Sequence, residues 1–121
     1  MMNKTSKHII GLLFCVFLVS AAYDVRLGSI RQDQSYDSST EIHYNVHNRG
    51  SERINNARIT FWMPELDHYE RLKAFSMRPD KKYSSSVTPD LSGIKQGEYL
   101  ARVRVSGSHA SSSRWIWVNV Q

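Results

Sequence analysis

From Tyr23 onward, apolar and polar positions alternate in short runs, and the helical spacing i, i+3, i+4, i+7 is nowhere sustained over two turns. Alternation with period two sends successive side chains to opposite faces of an extended chain, so the pattern predicts strands. "YDVRLGSI" predicts a first strand with Val25 and Leu27 on one face, followed by "RQDQSYDSST" as a polar turn region. "TEIHYNVHN" sets Ile42, Tyr44 and Val46 against Glu41, His43, Asn45 and His47, and "NRGSERIN" reads as the turn after it. "NARITFWM" sets Ala57, Ile59, Phe61 and Met63 inward and Arg58, Thr60 and Trp62 outward, until Pro64, which has no N–H, ends the ladder.

"ELDHYERLKAFSM" admits a helical stripe through Leu66, Tyr69, Leu72 and Phe75 or an alternation through Tyr69, Arg71, Lys73 and Phe75. It is read as a connection running into a short strand. "PDKKYSSSVTPDLSGIK" is polar and serine-rich, with Tyr83, Val87 and Leu91 as apolar pins and room for one short edge strand. "GEYLARVRVSG" alternates Tyr99, Ala101, Val103 and Val105 with Leu100, Arg102 and Arg104, and "SRWIWVNVQ" alternates Ile116, Val118 and Val120 with Trp115, Trp117 and Asn119. "GSHASSS" between them reads as a flexible hairpin loop. Six or seven short strands in about 100 residues, separated by turn signals, predict an all-β chain folded as an Ig-like antiparallel β-sandwich of about seven strands.

The N-terminus breaks this pattern. Lys4 and Lys7 precede an uncharged apolar run from Ile9 to Val19, and the small residues Ser20, Ala21 and Ala22 follow. That is the layout of a secretory signal peptide, with cleavage expected after Ala22. The run is well short of the roughly 20 residues of a membrane-spanning helix, so a retained signal segment is the one expected route to membrane attachment. The chain thus divides into a signal peptide over residues 1–22 and one domain over 23–121, secreted or displayed at the cell surface. Cys15, the only cysteine, lies within the apolar run, not at its end behind a small residue, which disfavours a lipid anchor. An exported domain without it has no disulfide, thiol nucleophile or thiolate metal site. The formal net charge of +5 falls to +3 as the two leader lysines depart, a mild excess that does not imply nucleic acid.

At "IHYNVHNRGSERINNARITFW" and "DLSGIKQGEYLARVRV" the chain resembles the Ig-like or fibronectin-type-III-like modules of prokaryotic surface and secreted proteins, including the cell-adhesion-related CARDB-like modules. The shared features are two alternating strands around Asn-x-Gly and a later Gly-x-Tyr opening the penultimate strand. The resemblance implies an adhesive, scaffolding or spacer unit and makes Tyr99 a structural tyrosine corner, its hydroxyl satisfying a backbone group in the preceding loop. Two features depart from it: the inter-sheet disulfide is absent, and Trp62 is out of phase with an inward tryptophan.

Catalysis has little basis in these residues, and no enzyme activity or cofactor is expected. His43, His47, His68 and His109 fall in no nucleophile or metal motif. On a strand His43 and His47 stand roughly 13 Å apart, too far to share a metal ion. Glu65, Asp67 and Glu70 read as a solvated acidic turn.

The tryptophans stand out. If the last two strands pair with their apolar faces matched, Arg102 and Arg104 share the outer face with Trp115 and Trp117. With Val105 opposite Arg114, for example, Arg104 faces Trp115 and Arg102 faces Trp117. Ig-like topology adds the strand carrying Arg58 and Trp62 to the same sheet. Arg58, Trp62, Arg102, Arg104, Trp115 and Trp117 then form one candidate binding face. One reading is a self-contained cation–π arrangement that stiffens the sheet. The other is an interface for a protein partner or a second copy of the chain, because tryptophan and arginine anchor interfaces. A carbohydrate or anionic cell-surface polymer is the alternative ligand, and a purely structural surface domain the alternative role.

Overall fold

The computed structural model describes residues 22–34 and 39–121, so the expected leader up to residue 21 lies outside the described residues. Among the described residues eight strands follow in chain order: β1 (Val25–Gln34), β2 (Thr40–Asn48), β3 (Ile54–Met63), β4 (His68–Arg71), β5 (Phe75–Met77), β6 (Lys82–Val87), β7 (Gly97–Gly107) and β8 (Ala110–Val120). A 3₁₀ turn, Pro64–Leu66, links β3 to β4. The strands form two antiparallel sheets, β1-β2-β6 and β4-β3-β7-β8, with β5 paired to β3 outside that path. The first two strands thus lie in one sheet, and the third joins the last two in the other, the partition of an Ig-like sandwich.

Alternation decides what lies between the sheets. Ile42, Tyr44 and Val46 of β2 are buried against Ala57, Ile59, Phe61 and Met63 of β3, with Ala101, Val103, Val105 and Val118 from the last hairpin. Ile54 is also fully buried although its spacing from Ala57 breaks the period of two. Asn56 absorbs the extra residue at φ 53°, and the pairing of β3 with β5 shifts register between Ile54 and Ala57. Asparagine is among the few non-glycine residues that adopt this left-handed geometry readily.

Three expectations need correction. "RQDQ" is strand: β1 continues to Gln34 and pairs with β2 through Gln34↔Thr40 after a bulge between Leu27 and Ile30. Backbone pairing extends through these residues because the ladder is made by main-chain groups, whatever the polarity of the side chains. "GSHASSS" is almost entirely ladder, since Gly107 pairs with Ala110 and only Ser108 and His109 turn the chain. His109 takes φ 63° to close that turn. The residues before Phe75 form a strand of their own, β4, paired to β3 from Thr60↔Arg71 to Met63↔His68.

Two polar devices hold the sandwich together away from its core. Asn48 is fully buried; its amide donates to the Glu52 and Met77 carbonyls and accepts from the Gly50 N–H. Gly50 has no substitute here, because a Cβ would come within 2.4 Å of the Ala22 carbonyl oxygen. At the β8 edge, the Gln32 side chain donates to the Asn119 carbonyl at 2.7 Å and accepts from its N–H at 3.0 Å. One side-chain amide thereby imitates a neighbouring strand and occupies backbone groups that an open edge would leave unpaired. Arg114, on the inward side of β8, adds a bond to the Gly28 carbonyl.

Candidate functional site

The outer face of the larger sheet is built by register. Tyr69 of β4 lies opposite Trp62 of β3, Trp62 opposite Arg102 of β7, and Arg102 opposite Trp115 of β8. Four strands thus contribute one continuous cross-strand row. The next row reads Arg71, Thr60, Arg104 and Ser113, and the one beyond it Arg58, Ser106 and Ser111. On the other side of the aromatic row, Trp117 pairs with Leu100.

Within the aromatic row Arg102 is the centre. Its guanidinium carbon lies 5.0 Å from the Trp62 ring centroid and 5.9 Å from that of Trp115. The two indoles are 5.9 Å apart and tilted by 54°. Arg102 Nε is buried and has no hydrogen-bond partner among the described residues, while the two indole rings lie within cation–π range of the same guanidinium. The rings remain partly open to water: Trp115 is 49% exposed, Trp117 62% and Tyr69 57%.

The register differs from the example in which Arg104 faced Trp115 and Arg102 faced Trp117. Arg104 faces Ser113, and Trp117 faces Leu100. The tight Ser108–His109 turn slides β8 by two residues relative to a longer loop; a slip of two leaves every side chain on its own face but changes its neighbours. Trp62, Arg102 and Trp115 come together, while Arg58, Arg104 and Trp117 lie in adjacent rows. Two further residues, Tyr69 and Arg71, join this face from β4; the alternation Tyr69, Arg71, Lys73 is their one trace in the sequence.

Tyr99 points inward from β7, and its hydroxyl donates to the Lys95 carbonyl at 2.7 Å. The histidines are dispersed: His43 sits near Asp33 and Glu41, His47 near Asp80, and His68 near Glu70. No group of three or more metal-ligating side chains forms among the described residues. On β4, an edge strand of its sheet among the described residues, His68 and Glu70 turn inward with 3.6 Å between Nε2 and Oε2. Inward charges of this kind discourage another strand from adding to an edge.

Fold and face together define an antiparallel β-sandwich with an aromatic and basic outer sheet surface. No family model matches the chain, and no curated protein matches it either.

Proposed function

We propose that this is an exported binding module that meets a protein partner through the outer face of β4, β3, β7 and β8. One observation carries the reading: Trp115 and Trp117 remain about half exposed or more on a sheet that already presents Trp62, Tyr69 and Arg102. Covering the exposed parts of both indoles removes on the order of 200 Å² from water. That is a gross gain of about 5 kcal/mol, from which the costs of association are subtracted. Against carbohydrate as the ligand, Trp62 and Trp115 flank Arg102 at a steep tilt and so offer no single flat platform on which a sugar ring could stack.

The test compares the protein with its Trp115→Ser/Trp117→Ser variant by light scattering and by affinity capture from the cells that produce it. The variant is expected to stay folded and to lose a contact that the parent makes. Identical assembly and identical captured partners in the two proteins would refute the reading.

A further inference from the structure

Beside the aromatic row lies a shallow basin of about 570 Å³, with Arg58, Arg71, Arg102 and Arg104 along its walls and Asn55 and Asn56 at one end. Among the described residues, no acidic side chain lines it. None of the four arginines joins an ion pair among the described residues. Arg26 and Arg31, by contrast, are each held by an aspartate two residues away. Four guanidinium groups around one hollow repel one another, and an anion placed among them relieves that repulsion.

The same charges select the partner. In a two-fold dimer built on this face, the patch of one copy would meet the identical patch of the other. Arginines would then confront arginines across the interface, an arrangement that opposes association. An acidic surface reverses the sign. Arginine's planar fork matches a carboxylate with two parallel hydrogen bonds, which a diffuse positive charge does not provide.

Resting on the reading of this face as a protein-binding surface, we propose that the basin receives an acidic polypeptide segment of the partner. Its aspartate or glutamate carboxylates pair with Arg58, Arg71 and Arg104, and its apolar side chains lie against Trp115 and Trp117. Arg102, engaged by the two indoles, forms the boundary between the charged and aromatic halves.

The test uses the protein's own fluorescence, because its only tryptophans, Trp62, Trp115 and Trp117, all lie on this face. The probes are octaglutamate, octalysine and a sulfated octasaccharide. Octaglutamate is expected to give a saturable change that weakens at least about tenfold between about 0.05 M and about 0.5 M salt. The Arg58→Gln/Arg71→Gln/Arg104→Gln variant is expected to bind it about tenfold more weakly, Arg104→Gln alone to show part of that loss, and octalysine to have no effect. Unchanged affinity in the arginine variants, no response to octaglutamate, or a response to the sulfated sugar alone would overturn the proposal. The last outcome would assign the basin to an anionic glycan. If the triple variant keeps a partner that Trp115→Ser/Trp117→Ser loses, the acidic segment fails while the protein-binding reading stands. A partner kept by both variants refutes both.

Discussion

The Arg102 guanidinium carbon lies 5.0 Å from the centroid of the Trp62 ring, directly across the β3–β7 pairing. Trp115 approaches the same group from β8. One cation therefore joins three strands through their outer side chains, while Phe61, Val103 and Ile116 belong to the opposite face of the same sheet. The face is thus stiffened from within and still presents open indole surface.

Replacing Arg102 with alanine removes both ring contacts. At this partly exposed site the loss is predicted at about 1 kcal/mol, which in a domain of this size lowers the melting temperature by about 4–8 °C. Tryptophan emission is predicted to move to longer wavelength as water reaches Trp62. Arg102→Lys keeps the charge without the plane that spans two rings, and its melting temperature is predicted to fall between those of parent and alanine variant.

Asn48→Ala acts at the opposite sheet. It strips the Glu52 and Met77 carbonyls and the Gly50 N–H of their partner in a buried site. Unsatisfied buried groups cost about 1–3 kcal/mol each, less where water can enter, so a total loss of roughly 2–4 kcal/mol is predicted. Urea denaturation measures it as a lowered midpoint with an unchanged slope.

Gln32→Ala tests the edge closure. Asn119 would lose the side chain that pairs with both its N–H and its carbonyl. The expected cost is about 1 kcal/mol, accompanied by concentration-dependent association as the β8 edge opens. Dynamic light scattering across a dilution series detects that association.

Stability is also predicted to weaken in alkali through Tyr44. Burial raises its hydroxyl above the ordinary value of 10.0, with Tyr83 adding to the rise and the hydrogen bond to Ser85 opposing it. The folded state therefore holds this proton more tightly than the unfolded chain does. The contribution is complete below pH 10 and is lost as pH climbs through the raised value. Tyr44→Phe removes this part of the decline; denaturation midpoints at pH 8 and pH 11 measure the difference.

Alternation made the faces of Ile42, Tyr44, Val46, Phe61 and Val103 legible because burial on one side of a strand imposes period two. The placement of Trp62, Trp115 and Trp117 on one outer surface followed from the same parity. Register was harder, since Arg102 opposite Trp115 and Arg102 opposite Trp117 satisfy that parity equally. The difference lay in His109, whose left-handed geometry at the turn carries no strong local signature. Tyr69 and Arg71 were hidden for another reason: β4 is a four-residue edge strand whose inward residues are His68 and Glu70, so no apolar alternation announces it. The bulge at Asn56 and the Gln32 closure depend on contacts between distant segments, which a local pattern does not record.

A partner seated on the β4-β3-β7-β8 face, as proposed, lies within reach of a photo-cross-linker carried on that face. Benzoylphenylalanine is introduced in place of Ser113, on the outer face of β8 opposite Arg104, in one protein and in place of Ser84, on the other sheet, in a second. A discrete cross-linked protein is expected from position 113, displaced by excess unlabelled parent, and none from position 84. Cross-linking from position 84 alone, or equally from both, would contradict it.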